Sequence, residues 1–192
     1  MAFRIAVLIS GTGSLLQALL DAEAAGDLHA EVVVVGSDRA DAQGLRRAEQ
    51  AGVPTFVLPF TRGNDRADWD AELTRAVAAH EVDLVVLAGF MKLVGPVFLA
   101  RFGGRTINTH PALLPSFPGM HGPRDALNHG VKVTGTTLFE VDAGLDTGRI
   151  LAQEPVRVLP GDTVDSLHER IKVAERLLLV HTVNELASQG DT

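Results

Sequence analysis

The chain has no cysteine, so it can form neither a disulfide bond nor a thiolate nucleophile nor a sulfur-ligated zinc site. It also lacks an evident membrane segment at its start, since the apolar run at residues 3–9 is too short to span a bilayer. That run leads into a glycine-rich loop, unlike a signal peptide. Basic residues are outnumbered 17 to 24 by acidic ones and form no block, which argues against non-specific nucleic-acid binding. We therefore expect a cytoplasmic protein that binds neither membrane nor nucleic acid, with room for a local pocket that holds a small phosphate.

What is present is an ordinary globular composition, with 46% hydrophobic and 21% charged residues. A chain of 192 residues is long enough for one domain with a full core. No repeat, low-complexity segment or linker divides it, so we expect a single domain over residues 1–192.

Short apolar runs alternate with amphipathic stretches through the first 110 residues. The runs predict strands at residues 3–9, 31–35, 55–58, 83–88 and 106–109, and the stretches predict helices from 14 onward and at 41–51, 65–79 and 96–101. Ser14 and Gln17 resemble a capping box at the start of the first helix. This alternation indicates parallel βαβ units, and the continuously apolar strands indicate a sheet covered on both faces.

The pattern changes after residue 122. Two longer strands are predicted at residues 132–141 and 150–158, joined by a loop at 142–148. A last helix is predicted at about 164–187, with its apolar side chains at Leu167, Ile171, Ala174 and Leu178. The expected fold is therefore a single-domain, Rossmann-like open α/β sheet with a mostly parallel N-terminal half, antiparallel C-terminal strands and helices on both faces.

Asn108 and His110 are the leading candidates for chemistry. Residues two apart on a strand point to the same face, and Pro111 keeps the backbone extended at His110. An amide donor and an imidazole then lie together at the carboxyl end of a strand, where open α/β sheets bind ligands. The pair suits a reaction in which a carbonyl oxygen gains negative charge while a proton moves, although polar residues satisfied by the backbone are the simpler alternative.

A glycine-rich loop, Ser10-Gly11-Thr12-Gly13-Ser14, follows the first strand and opens a helix. Such a loop can present backbone N–H groups to an anion, or it can be a plain tight turn. Leu16 stands where the dinucleotide-binding motif has its third glycine, which disfavours a nicotinamide dehydrogenase, and no Gly-Lys-Ser/Thr follows as a P-loop would require.

Four further acidic or basic positions have both a plain and a functional interpretation. Asp142 and Asp146 are typical turn residues, yet Asp146 could fold back onto His110, orient the ring and favour its charged form. Lys172 and Glu175 are spaced as a surface ion pair on the last helix. No group of His, Asp and Glu residues has the spacing of a metal site, so no metal is predicted.

Together these motifs resemble the phosphoribosylglycinamide formyltransferase family of the formyltransferase superfamily. The likeness covers essentially the whole chain and rests on residues 9–14, 87–91, 108–119 with His121, and 145–148. It implies formyl transfer from 10-formyltetrahydrofolate, a co-substrate, to the amine of glycinamide ribonucleotide in purine biosynthesis, and it allows a homodimer. It also implies a nucleotide-binding βαβ half at residues 1–110, followed at 111–192 by the catalytic loop, the folate-loop strands and the last helix.

The resemblance also assigns roles to individual residues. Asn108, His110 and Asp146 match the catalytic group of the family, and Arg66 matches a basic position near the folate glutamate tail. The phosphoribosyl group is expected at Gly11, Thr12, Gly13, Ser14, Lys172 and Glu175. The pterin pocket is expected at Phe90, Met91, Lys92, Leu93 and Val94, and at Val141, Asp142, Ala143, Gly144 and Leu145.

Four residues depart from the family pattern and three other functions stay open. Leu15 replaces a usual Asn, Lys92 a common Arg, Phe139 a frequent His and Arg149 a frequent Pro. These differences affect the two substrate pockets rather than the reaction.

Methionyl-tRNA formyltransferase usually carries an extra tRNA domain, and formyltetrahydrofolate hydrolase a preceding regulatory domain, neither of which we expect here. A non-catalytic binding module is disfavoured because Asn108, His110 and Asp146 are all present.

Overall fold

In the computed structural model, which describes residues 2–61 and 63–190, the strands form one seven-stranded sheet. In chain order they are β1 (Phe3–Ile9), β2 (Ala30–Ser37), β3 (Thr55–Val57), β4 (Leu84–Leu87), β5 (Thr106–His110), β6 (Val133–Glu140) and β7 (Ile150–Arg157). The order across the sheet is β3-β2-β1-β4-β5-β6-β7, in which β1 to β5 are parallel and β6 and β7 antiparallel. The predicted fold class is confirmed.

Helices cover both faces of this sheet. The described residues form α1 (Ser14–Ala25), α2 (Gln43–Gln50), α3 (Arg66–Ala78), α4 (Pro96–Phe102), α5 (Gly122–His129) and α6 (Val164–Gly190). Alternate residues of β1 point to opposite faces. Ile5 and Val7 pack in the cluster that holds α1, α2 and α6, whereas Leu8 packs in the cluster that holds α3 and α4. None of the helices in the described part of the chain is long and apolar enough to cross a membrane.

The chain changes direction across the sheet between β1 and β4, which are neighbours. It runs from β1 outward to β3 on one side and from β4 outward to β7 on the other. The loops that follow β1 and β4 therefore diverge and leave a crevice at their strand ends, where such sheets bind ligands. The two loops stay in contact at one point, where Ser10 N donates to Gly89 O at 3.2 Å.

Helix α5 was not predicted. It begins with Gly122 and Pro123 and ends at Gly130, whose φ is +77°. Glycine and proline are as typical of loops as of helix ends, and eight residues give too short a pattern to separate the two. The helix is stabilised by contacts with α6, since Leu127 packs against Leu167 and Ile171.

The capping box predicted for α1 is wrong. The N-cap is Gly13, with φ +70°, and no side chain in the described part of the chain caps the helix. The Gln17 side chain instead donates to Asp21 Oδ1 at 2.7 Å and accepts from Arg47 Nη1 at 2.8 Å. The N-terminal N–H groups of α1 are consequently left open toward the crevice.

The apolar stripe predicted for α6 is correct only in its first turns. Leu167 and Ile171 are fully buried, but Ala174 and Leu178 are only partly buried. Beyond Ile171 the buried positions are Glu175, Leu179, Thr182, Val183 and Ala187. A carboxyl group, Glu175, thus lies in the buried stripe, one residue after the alanine that the sequence pattern placed there.

Candidate active site

The carboxyl end of β5 brings Asn108 and His110 to one face, as predicted. β5 lies between β4 and β6, so His110 is buried, and its backbone oxygen accepts from Thr136 Oγ1 at 3.2 Å. Asn108 Oδ1 accepts from Thr109 N at 2.9 Å. Across the part of the chain that the structure describes, no acceptor lies within hydrogen-bond distance of Asn108 Nδ2, which is therefore free to donate to a ligand.

Both ring nitrogens of His110 face oxygen atoms. Nε2 lies 2.7 Å from Phe117 O, and Nδ1 lies 3.5 Å from Asp146 Oδ2. A carbonyl oxygen can only accept, so Nε2 carries a proton, and the Asp146 carboxylate lies on the Nδ1 side of the ring. The ring is therefore held between two acceptor oxygens, with Nε2 as a hydrogen-bond donor.

Asp146 reaches His110 because the loop between β6 and β7 turns sharply back toward the sheet. Asp146 itself has φ +55°, in the left-handed region that Asp and Asn tolerate better than most residues. Its Oδ2 atom also accepts from Gly119 N at 2.7 Å. The contact with His110 that the sequence left as a hypothesis is present, and Gly119 fixes the carboxylate in place.

The proline-rich loop after β5 is held by Thr137, a fully buried residue of β6. Thr137 Oγ1 donates to Ala112 O at 2.7 Å and accepts from Leu114 N at 3.0 Å. Gln153 Nε2 donates to Leu114 O at 2.9 Å. This framework, which sequence reasoning missed, presents Phe117 O to His110 and Gly119 N to Asp146.

The glycine-rich loop leaves its backbone donors open. Among the described residues, none accepts a hydrogen bond from the backbone N–H of Gly11, Thr12, Gly13 or Ser14. Gly13 is required here because a Cβ would lie 2.6 Å from Gly44 Cα, and because its φ is positive. Arg47 Nε donates to Thr12 O at 2.9 Å, which fixes the loop from the side of α2. Unpaired N–H groups at a helix N-terminus are the usual setting of a phosphate site.

Lys172 and Glu175 do not form the ion pair that their spacing predicts. Lys172 Nζ instead pairs with Glu169 Oε1 at 2.7 Å. Glu175 is buried against β5, and burial raises the pKa of its carboxyl group, while a hydrogen bond from the Thr109 side chain works in the opposite direction. Glu175 therefore lies beside the residue between Asn108 and His110, on the opposite face of the strand.

Residues 90–94, between β4 and α4, expose Met91 and Leu93 at 67% and 62%, while Phe90 and Val94 are buried. Three side chains hold this segment. Ser10 Oγ accepts from Met91 N at 2.8 Å, Arg66 Nη2 donates to Leu93 O, and Asp70 Oδ1 accepts from Gly95 N at 2.6 Å. The result is a fixed backbone with two apolar side chains exposed at the crevice.

The two predicted halves of the pterin pocket meet at the sheet. Val141 packs against the cluster that contains Phe90 and Val94, so the loop after β6 begins beside the segment after β4. In that loop Asp142 Oδ1 accepts from Gly144 N at 2.9 Å and from Thr147 Oγ1 at 2.8 Å, and Leu145 is exposed. Arg66 lies over the Phe60 and Trp69 rings, with its Cζ about 5 Å from each centroid.

Not every concave surface belongs to this site. A groove of about 790 Å³ opens between α1, α2 and α6, where Ser14, Arg47 and Arg176 line it, but it does not reach Asn108 or His110. Within residues 2–61 and 63–190, no three His, Asp or Glu side chains come together as a metal site would require. The chemical groups available at the strand ends are hydrogen-bond donors, a carboxyl group and an imidazole ring.

The sequence and the fold were compared with those of known proteins. Residues 3–183 match the formyl transferase family. Phosphoribosylglycinamide formyltransferase of Mycobacterium tuberculosis is 59% identical over 189 residues, which cover 98% of this chain and 87% of that protein. The Escherichia coli enzyme of the same name is 41% identical over 174 residues, 91% of this chain and 82% of that protein.

The fold agrees with this match. The crystal structure of glycinamide ribonucleotide transformylase 1 from Symbiobacterium toebii superimposes with a TM-score of 0.95 at 46% sequence identity, covering 97% of this chain and 88% of the other. Sequence and fold thus agree over nearly the full length of this chain, and the chain belongs to the phosphoribosylglycinamide formyltransferases of the formyl transferase family.

Proposed function

We propose that Asn108, His110 and Asp146 catalyse the transfer of the formyl group of 10-formyltetrahydrofolate to the amine of glycinamide ribonucleotide. The products are formylglycinamide ribonucleotide and tetrahydrofolate, and the reaction is a step of de novo purine biosynthesis. The observation that carries the proposal is the His110 ring, held between Asp146 Oδ2 and Phe117 O at the strand end it shares with Asn108.

The reaction forms a bond from the amine nitrogen to the formyl carbon and breaks the bond from that carbon to N10 of the folate, while one proton passes from the amine to N10. The formyl oxygen gains negative charge as the new bond forms. Asn108 Nδ2 and His110 Nε2 donate to that oxygen, and donors of this kind contribute about 3 kcal/mol each. His110 Nε2 exchanges Phe117 O for the formyl oxygen, and Asp146 keeps the ring oriented.

The phosphoribosyl group lies on the loop after β1. The open N–H groups of residues 11–14 donate to the phosphate, and the positive end of α1 adds a favourable field. Glu175 accepts from the ribose hydroxyls, with Lys172 nearby. Support for this role comes from the burial of Glu175 beside β5 without an ion-pair partner among the described residues.

The folate lies between the segment after β4 and the loop after β6. Met91, Leu93 and Leu145 are apolar side chains left exposed there, which fits a flat pterin ring that needs apolar contact on its faces. Arg66 supplies a cation for the glutamate carboxylates. The other residues of this proposed pocket are Phe90, Lys92, Val94, Val141, Asp142, Ala143 and Gly144.

The test is an absorbance assay for tetrahydrofolate with 10-formyltetrahydrofolate as donor, run with and without glycinamide ribonucleotide. We expect turnover only with the ribonucleotide, and equal turnover without it would instead indicate a hydrolase. His110→Ala should abolish turnover while ribonucleotide binding, measured by calorimetry, persists. A His110→Ala variant that keeps wild-type turnover would contradict the catalytic assignment.

Broader inferences about domain organisation, location, assembly and partners accompany this proposal. Residues 1–110 carry the phosphate site, and residues 111–192 carry the catalytic loop and the strands that flank the folate. The cytoplasmic location and the homodimer stay predictions, the second of which light scattering can check. The partners that the family implies are small-molecule substrates.

A further inference from the structure

Ser10 lies at the point where the loops after β1 and β4 separate, and it bonds to both sides. Its Oγ atom donates to Asp38 Oδ1 at 2.5 Å and accepts from Met91 N at 2.8 Å. Its backbone N–H donates to Gly89 O at 3.2 Å. One serine therefore connects the glycine-rich loop, which it begins, to the backbone of the segment after β4.

Asp38 fixes the direction of the Ser10 hydroxyl. It follows β2 and is buried, at 8% exposure, directly beside Ser10 because Ile9 and Ser37 are paired in the sheet. A carboxylate only accepts, so the hydroxyl hydrogen points at Asp38 and a lone pair of the oxygen stays directed at Met91 N. The second carboxylate oxygen lies 3.5 Å from Lys92 Nζ, which provides the cation that a buried charge requires.

This arrangement joins two places that the proposed function assigns to different substrates. Residues 11–14 follow Ser10 and receive the phosphate of the ribonucleotide, whereas Met91 and Lys92 line the folate pocket. We infer that Ser10 and Asp38 are positioning residues that couple the binding of the two substrates, an inference that rests on the proposed function. When phosphate orders the glycine-rich loop, the Ser10 hydroxyl carries that ordering to the backbone at Met91, and folate binding acts in the reverse direction.

The chain offers a matched control for a role that is only structural. Thr106 is also a fully buried hydroxyl residue on the same sheet, and its Oγ1 atom donates to Phe102 O at 2.9 Å. It lies at the amino end of β5, away from both substrates. Thr106→Val removes a buried hydrogen bond as Ser10→Ala does, but it leaves the connection between the two loops intact.

The experiment measures the Kd of tetrahydrofolate by calorimetry, with and without saturating glycinamide ribonucleotide, a pair that cannot react because no formyl group is present. In the wild-type protein we expect the ribonucleotide to lower this Kd about fivefold or more, and tetrahydrofolate to lower the Kd of the ribonucleotide by the same factor. Ser10→Ala should reduce the factor to about one. Asp38→Asn should reduce it in part, since its amide oxygen can still accept from Ser10 while Lys92 loses its partner.

The inference is overturned by a wild-type factor of one, by an unchanged factor in Ser10→Ala or in Asp38→Asn, or by an equal loss in Thr106→Val. Asp38→Asn keeps the test decisive if Ser10→Ala does not fold. A wild-type protein that transfers the formyl group but shows no coupling refutes this inference alone. A wild-type protein that neither binds nor formylates the ribonucleotide refutes the proposed function instead.

Discussion

Asp146→Asn is the sharpest test of the catalytic arrangement, because it removes one charge and little else. Asparagine tolerates the left-handed backbone that residue 146 adopts, with φ +55°. Its amide oxygen can still accept from Gly119 N, which lies 2.7 Å from the carboxylate. The loop between β6 and β7 should therefore keep its place, whereas alanine would remove the Gly119 bond and strain the turn.

The expected loss follows from the geometry. The two side chains are nearly buried, at 5% and 9% exposure, and Nδ1 and Oδ2 are 3.5 Å apart. With an effective dielectric constant of about 20, a full positive charge on the ring in the transition state would be attracted to the carboxylate by about 5 kcal/mol. Hydration of the ring in the variant offsets part of this, so we expect the barrier to rise by about 3 kcal/mol, which is a fall in kcat of roughly 100-fold or more.

The assay compares kcat and both KM values of Asp146→Asn with those of the wild type under the turnover conditions described above. Glu140→Gln is the control, because it removes a carboxylate at the end of β6 that pairs with Arg149 rather than with His110. The control should stay within about threefold of the wild type, since exposed pairs contribute little. If Asp146→Asn also stays within that range, the charge of Asp146 does not serve the reaction and our interpretation of His110 is wrong.

Two predictions concern buried carboxyl groups. The Asp70 carboxylate accepts from Gly95 N at 2.6 Å, Val97 N at 2.9 Å and Phe98 N at 3.2 Å. In Asp70→Asn the side-chain NH₂ group would face one or more of these backbone N–H donors, so the free energy of unfolding should fall by about 2 kcal/mol. Urea titration with fluorescence of Trp69, the sole tryptophan of the chain, measures this, and a change below about 0.5 kcal/mol would contradict it. In the folded protein, burial raises the pKa of the Glu175 carboxyl group above its ordinary 4.5. The wild type therefore loses stability as the pH rises from 4.5 toward the raised pKa, because the unfolded chain releases this proton first. Glu175→Gln does not titrate and should gain stability relative to the wild type between pH 4 and pH 7, and a difference that is the same at both pH values would count against this.

The fold was largely predictable because its signals are local. Strands buried on both faces read as continuous apolar runs, and the pair of Asn108 and His110 follows from the alternation along a single strand. The short helix α5 was missed because its stability comes from Leu127 against α6 rather than from its own residues. Local patterns cannot report a contact between segments that lie 40 residues apart in the chain.

The same limit explains which site residues were missed. Ser10 and Asp38 are adjacent only because β1 and β2 pair with Ile9 beside Ser37, and that register is set by packing across the sheet. An acidic residue directly after an apolar strand was a signal that sequence reasoning could have used. Phe117 acts through its carbonyl oxygen, which every residue possesses, so no residue type at that position could have revealed it.

Glu175 shows why a functional site need not be built for stability. Its carboxyl group lies in the buried stripe of α6, and Lys172, the nearest cation along that face, pairs with Glu169 instead. Burial of an unpaired carboxyl group costs stability that a glutamine at this position would regain. A carboxylate, however, accepts from two ribose hydroxyls with the strength of charge-assisted bonds, which an amide cannot match. If Glu175 binds the ribose as proposed, the variant that folds more stably should bind the ribonucleotide more weakly, so the cost of this buried carboxyl group is offset when substrate binds.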